Sequence, residues 1–65
     1  MRLTINGETT ELAGHTIEAI LAELGLEDKP CAVEVNRQLV SARDRGNHRL
    51  AEGDTIEIVT LVGGG

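Results

Sequence analysis

One segment of the sequence carries a helical repeat of apolar residues, and this single helix restricts the folds that the chain can adopt. Aliphatic side chains recur at i, i+3, i+4 and i+7, the spacing of one helix face, at Ile17, Ile20, Leu21 and Leu24. Thr16 is a candidate N-cap, and Gly25 can take the left-handed conformation that ends a helix, with Leu26 packing back on Leu21. One helix can bury only one face of a β-sheet, so any sheet formed by the rest of the chain must leave its other face open to solvent.

The rest of the chain alternates apolar and polar residues with the two-residue period of β-strands. Met1 to Ile5 alternates in this way and is followed by Asn6-Gly7, a dipeptide typical of hairpin turns, so a second strand is predicted from Glu8 to Leu12. The later strands are predicted over Cys31 to Val35, Gln38 to Val40 and Thr55 to Val62, with turns at Asn36-Arg37 and Glu52-Gly53-Asp54 and an irregular segment from Ser41 to Asn47.

The order of these elements predicts an α+β roll, in which a mixed sheet of four to five strands packs on one main helix. With 65 residues, the chain is long enough for one small domain and too short for two. We expect this domain to occupy residues 1–62 and a flexible glycine tail to follow at residues 63–65. The last strand is the most apolar, so we expect it at the centre of the sheet, beside the first strand.

The last predicted strand places large aliphatic side chains on both faces of the sheet. If Ile56 and Ile58 face the helix, the two-residue period turns Val59 and Leu61 to the open face. Exposed aliphatic groups at such a position indicate a docking surface for a partner, and we add Val62 to it. A bulge or the end of the strand near Val59 would instead turn both side chains inward, and the sequence leaves this alternative open.

The charge pattern disfavours nucleic acid as a partner. The net charge is −5, and the chain has no aromatic residue that could stack on a base. A short basic segment is the exception, and it contains Arg37, Arg43, Arg45 and Arg49. Such a segment is typical of a solvated loop, and it could also contact an acidic protein partner.

No residue pattern indicates a catalytic or metal site. The single cysteine, Cys31, falls at an inward strand position without a neighbouring histidine to act as a base, so we expect a core residue. His15 and His48 are too far apart to form a metal-binding spacing with it. The longest apolar run, Ala19 to Ala22, is far shorter than a membrane span, and no signal-peptide pattern precedes it. We therefore expect a cytoplasmic protein, monomeric when free, that binds neither metal nor membrane.

The sequence ends in three glycines, Gly63, Gly64 and Gly65. Ordering three glycines costs about 3 to 6 kcal/mol of backbone entropy and buries no side chain in return. A segment without Cβ atoms can enter a narrow cleft and place a terminal carboxylate inside another protein's active site. That carboxylate is an anion at neutral pH and needs activation before acyl chemistry, most simply as an acyl adenylate made from ATP. No nucleotide-binding loop accompanies the glycines, so we expect the partner to supply the catalysis.

Several segments together resemble the ThiS family of thiamine-biosynthesis sulfur carriers, which have a ubiquitin-like β-grasp fold. These segments are the opening strand with Asn6-Gly7, the helix HTIEAILAELGL, the stretch AVEVNRQLV, the turn and strand LAEGDTIEIVTLV and the terminal GGG. The resemblance covers essentially the whole chain, and it implies that the first and last strands run parallel, as they do in the ubiquitin-like roll. The glycine end on a chain of this length is its specific part, whereas other β-grasp domains share the Gly-Asp turn and the strand after it.

The resemblance implies that the protein is a carrier and not an enzyme. In that family the last glycine, here Gly65, is adenylated by a ThiF-like adenylyltransferase that consumes ATP. Sulfur from a donor protein then replaces the adenylate to give a thiocarboxylate, which the carrier delivers to a ThiG-like thiazole synthase for the thiazole ring of thiamine. Gly64 matches the penultimate glycine of the family. Gly63 matches a third glycine that many members have, and we group Gly63 with the partner-binding residues. The carrier itself is implied to bind no cofactor.

Three other functions are compatible with these residues. The sulfur carrier of molybdopterin synthesis also ends in Gly-Gly, but those chains are usually longer and richer in aromatic residues. The absence of aromatic residues from this chain therefore favours the thiamine carrier. A TGS-like β-grasp module is a non-catalytic regulatory or RNA-associated domain of longer proteins and needs no free glycine end. A ubiquitin-like modifier would use the same activated carboxyl to form isopeptide bonds with lysines.

Overall fold

The computed structural model describes residues 1–61, which form five strands and one α-helix. In chain order the elements are β1 (Arg2–Ile5), β2 (Glu8–Glu11), α1 (Ile17–Glu23), β3 (Cys31–Val35), β4 (Gln38–Val40) and β5 (Thr55–Thr60). The segment predicted to be irregular contains a single 3-10 turn, Ala42–Asp44. The last strand was predicted to reach Val62, but β5 ends at Thr60.

The strands form one mixed sheet in the order β2-β1-β5-β3-β4. β5 lies at the centre, parallel to β1 and antiparallel to β3, and the two outer pairs, β1 with β2 and β3 with β4, are antiparallel hairpins. The predicted α+β roll and the central, parallel position of the last strand are therefore confirmed.

The ends of α1 agree with the sequence prediction. The Thr16 hydroxyl accepts a hydrogen bond from the Ala19 N–H at 3.1 Å, which satisfies a free donor of the first turn. At the other end, Gly25 has φ +76°, and the Leu26 N–H donates to the Leu21 carbonyl at 2.8 Å. These bonds define a Schellman motif, which turns the chain away from the helix and packs Leu26 against the core.

Two asparagines hold β5 in place from both sides. Asn6 and Asn36 begin the two hairpin turns, each with φ 50°. The Asn6 side-chain amide accepts from the Ile58 N–H at 2.7 Å and donates to the Ile58 carbonyl at 3.1 Å. Beyond the last residue of β1, this side chain thus bonds to β5 as a backbone neighbour would. Asn36 accepts from the Thr55 N–H at 3.0 Å. The register of β5 is thus fixed by side chains as well as by the ladders.

The aliphatic core lies between α1 and one face of the sheet. Its largest fully buried side chains are Leu3, Ile17, Ile20, Val33 and Ile56, from β1, α1, β3 and β5. Cys31 is buried with them, as predicted. Because α1 covers only this face, the opposite face of the sheet is left open; we call it the outer face.

Candidate functional site

The alternation of β5 continues without a bulge and carries aliphatic side chains to the outer face. Ile56 and Ile58 are buried, whereas Val59 is 59% exposed and Leu61 is 56% exposed. Leu61 follows directly after β5 and keeps the same direction, because its N–H donates to the Pro30 carbonyl at 2.9 Å and extends the ladder with β3. The prediction that Val59 and Leu61 face away from the core is confirmed, and the alternative that both turn inward is wrong.

A third exposed aliphatic side chain, Leu39, was not predicted as a site residue. It lies in β4, is 71% exposed and is flanked by Val40, which is buried. The signal was available in the sequence, because a strand that buries Val40 must turn Leu39 to the outer face. It was missed because β4 has only three residues, too few to show a period by itself.

The strand register brings these side chains to one half of the outer face. Ala32 in β3 lies directly opposite Val59, and the next outward residue of β3, Glu34, lies directly opposite Leu39. Neighbouring residues on one face of a sheet lie about 4.5 to 8 Å apart, so the three aliphatic groups border one continuous area. We call Leu39, Val59 and Leu61 the outer patch.

Two carboxylates lie beside the outer patch. Glu34 in β3 and Glu57 in β5 are directly opposite each other on the outer face, and both are exposed. Directly opposite residues of like charge repel, so this arrangement opposes the pairing of β3 with β5. Within residues 1–61 the only ion pair joins the N-terminal ammonium to Glu11 on the distant edge strand β2, which leaves Glu34 and Glu57 without a cationic partner there. We call these two residues the acid pair.

The remaining predicted site residues lie outside the described part of the chain. These are Val62, assigned to the docking surface, and Gly63, Gly64 and Gly65, assigned to the tail. The boundary predicted between residues 62 and 63 falls in the same segment and stays a prediction.

The arginines of the basic segment do not act as one surface. The Arg45 guanidinium folds back onto the body, where it donates to the Cys31 carbonyl at 2.6 Å and contacts the Cys31 Sγ at 3.7 Å. Arg45 therefore supports the end of β3 and is not available to a partner in this conformation. Arg37, Arg43 and Arg49 are exposed.

The other side of the molecule carries a shallow cleft of about 350 Å³ that shares no residue with the outer patch. It lies between α1 and the 3-10 turn and is lined by Glu18, Leu21, Glu27, Asp28, Ala42 and Arg45. Among residues 1–61, no three histidine, cysteine or acidic side chains are placed to hold a metal ion. In the same range, no helix has the length and apolar character needed to cross a membrane.

Comparison with known proteins gives one consistent family. The model of the ThiS family matches residues 3–65. A protein named sulfur carrier protein ThiS, from Thermus thermophilus, is 36% identical over 61 residues, which cover 94% of this chain and 95% of that protein. Two proteins named thiazole synthase, from Paramagnetospirillum magneticum and Magnetococcus marinus, are each 41% identical over 66 residues. This chain spans only 20% of the length of those two relatives.

Solved structures agree with this result. The crystal structure of the thiamine biosynthesis protein ThiS from Geobacter metallireducens has a TM-score of 0.83 and 25% identity, and the match covers 100% of both chains. Its solution structure has a TM-score of 0.80 and covers 88% of that chain. With one helix packed on a five-stranded mixed sheet, the fold is the ubiquitin-like β-grasp that the sequence predicted.

Proposed function

The chain belongs to the ThiS family, and we propose that it carries sulfur for thiamine biosynthesis as a thiocarboxylate on Gly65. The observation that carries this proposal is the extent of the family match, which runs from residue 3 through residue 65 and so includes the three glycines. The protein acts as a carrier and co-substrate; the bonds are made and broken in the active sites of its partners.

The proposed chemistry has two steps on one carboxyl group. In the first, a carboxylate oxygen of Gly65 attacks ATP in a ThiF-like adenylyltransferase, pyrophosphate leaves and an acyl adenylate forms. In the second, sulfur at the oxidation level of sulfide, supplied by a donor protein, attacks the carbonyl carbon and AMP leaves. The product is a thiocarboxylate, and its sulfur is the soft nucleophile that a thiazole synthase uses. Enclosure in the partner protects the adenylate from hydrolysis.

The outer patch supports this function because it lies next to the glycines in the chain. Leu61 belongs to the patch and precedes Gly65 by four residues. A fully extended chain gains at most about 3.6 Å per residue, so the carboxyl carbon of Gly65 can reach about 14 Å from Leu61. A partner that docks on Val59 and Leu61 must therefore hold its active site within that distance. Beyond Val62, Gly63 and Gly64 add length to the chain without adding side chains.

Thiazole synthase is the partner with independent support, since proteins of that name contain a segment similar to this whole chain. The adenylyltransferase and the sulfur donor follow from the chemistry of a carboxylate that cannot activate itself. We further propose that the carrier is a cytoplasmic monomer between encounters and binds no cofactor of its own, with ATP bound and consumed by the adenylyltransferase.

Intact-mass measurement tests the proposal. The purified chain is incubated with the adenylyltransferase, ATP and a sulfur source, and the wild type should gain the mass difference of an oxygen-to-sulfur exchange at its C-terminus. A variant without Gly65 should gain nothing, because its last carboxyl group is displaced by one residue from the adenylating site. Its thermal midpoint should equal that of the wild type, which serves as the folding control. Sulfur loading of the shortened chain would refute the assignment of Gly65.

A further inference from the structure

The acid pair is an unfavourable feature of the free domain. The Cβ atoms of directly opposite strand residues lie about 4.5 to 5.5 Å apart, so the carboxylates of Glu34 and Glu57 repel across the central ladder of the sheet. No cationic side chain of residues 1–61 forms an ion pair with either one. The five-stranded sheet thus retains a repulsive contact on its open face.

The acid pair adjoins the apolar side chains that a partner would cover. Leu39 lies directly opposite Glu34 on the side of β4, and Val59 lies two residues beyond Glu57 on the same face of β5. The three aliphatic side chains of the outer patch are the large hydrophobic groups exposed among the described residues. The outer face therefore carries an apolar area directly beside a negative one.

We propose that the outer patch docks a protein surface that presents a cationic side chain, arginine or lysine, beside apolar groups, and that this cation lies on the acid pair. This inference rests on the proposed function and specifies the chemistry of its partner. A guanidinium fits the site best, since its planar set of five N–H donors can bond to both carboxylates at once. A cation placed between the two carboxylates offsets their repulsion, so binding relieves an unfavourable contact of the free domain.

A second copy of the chain fits this surface less well. In a two-fold symmetric dimer the same patch faces itself, so two acid pairs would meet, in chains that each carry a net charge of −5. An anionic surface such as a phosphate backbone is repelled for the same reason. Complementary charge therefore selects a basic, partly apolar protein surface.

The test compares two double variants with equal net charge. E34Q/E57Q removes the charges of the acid pair and keeps the size of the side chains. E8Q/E27Q is the control, because Glu8 and Glu27 are exposed and lie off the outer face, in β2 and in the loop after α1. Affinity for the thiazole synthase of the same organism is measured by calorimetry at low and at physiological salt, and thermal midpoints are measured on the free chains.

The expected results have opposite signs in the two assays. E34Q/E57Q should raise the thermal midpoint of the free domain by about 2 to 4 °C, since the like-charge contact is gone. It should weaken binding about tenfold at low salt and reduce the dependence of binding on salt. E8Q/E27Q should change the affinity by less than about twofold, because its charges lie outside the interface.

Three outcomes would overturn the inference. If E34Q/E57Q and the control bind with equal affinity, no cation lies on the acid pair. The proposed function still stands in that case, provided that the wild type acquires sulfur. Tighter binding by E34Q/E57Q shows that the partner presents an anionic or neutral surface. A wild-type chain that binds no thiazole synthase and acquires no sulfur refutes the inference and the proposed function together.

Discussion

Leu39 and Val40 are adjacent in β4 and allow the outer patch to be separated from the core. Leu39 is 71% exposed, whereas Val40 is 8% exposed and belongs to the core. Burial of a complete leucine side chain contributes about 1.5 to 3 kcal/mol. Leu39→Ala should therefore remove about 1 to 2 kcal/mol from the binding of a partner that covers the outer patch, a loss of about 5- to 30-fold in affinity.

The same substitution should have a small effect on folding. The buried fraction of Leu39 corresponds to less than about 1 kcal/mol, which lowers the thermal midpoint of a domain of this size by about 2 to 7 °C. Val40→Ala is the matched variant, since it deletes methyl groups from the core. It should cost about 2 to 3 kcal/mol of unfolding free energy and lower the midpoint by at least about 8 °C.

The assay measures thermal midpoints by calorimetry and the affinity for the thiazole synthase at a temperature where both variants are folded. Leu39→Ala should lose affinity and keep most of its stability, whereas Val40→Ala should lose stability and keep its affinity. Wild-type affinity of Leu39→Ala would refute the assignment of β4 to the docking surface. A midpoint of Leu39→Ala as low as that of Val40→Ala would place Leu39 in the core.

Two further substitutions test the outer face and the second hairpin turn. Leu61→Asp should weaken partner binding at least about tenfold without unfolding the domain, because a 56% exposed side chain contributes little to the core. Calorimetry measures the binding, and circular dichroism shows whether the domain is folded. An unfolded variant would contradict the assigned direction of Leu61. Arg37→Gly should raise the thermal midpoint by about 2 to 8 °C. Arg37 has φ 71°, and this left-handed conformation costs a residue with a Cβ about 1 to 2 kcal/mol. Glycine avoids that cost, but its larger backbone entropy in the unfolded state offsets part of the gain. An unchanged midpoint would show that the Arg37 side chain stabilises the turn by as much as its backbone destabilises it.

The features that were predictable from the sequence are those set by local chemistry. Thr16 and Gly25 define the ends of α1 because a hydroxyl can accept from a free N–H and a glycine can take positive φ without strain. The direction of Val59 followed from the two-residue period once Ile58 was assigned to the core. Each of these inferences needs only a few neighbouring residues, and the structure confirms all of them.

The features that could not be predicted depend on contacts between distant parts of the chain. The acid pair exists because β3 and β5 pair in one register, and Glu34 and Glu57 are 23 positions apart in a sequence that gives no sign of that register. Arg45 was grouped with the other arginines of its segment, but its bond to the Cys31 carbonyl depends on where the 3-10 turn packs. The Asn6 bonds to Ile58 likewise depend on the register of β5 against β1, which was not predicted, although the pairing of these two strands was.

The proposed roles of the sheet and of the glycines have a consequence for the order of events. In these proposals the outer patch supplies apolar contact area and the acid pair supplies charge, whereas the glycines supply reach without side-chain contacts. Binding energy and reactivity then belong to different parts of the chain. The proposed adenylyltransferase and the proposed thiazole synthase partner both act on the carboxyl group of Gly65, so each must hold its active site within about 14 Å of Leu61. One carboxyl group cannot occupy two active sites at once. In the proposed cycle the two partners therefore exclude each other, and the carrier must dissociate from the first before it can deliver sulfur to the second.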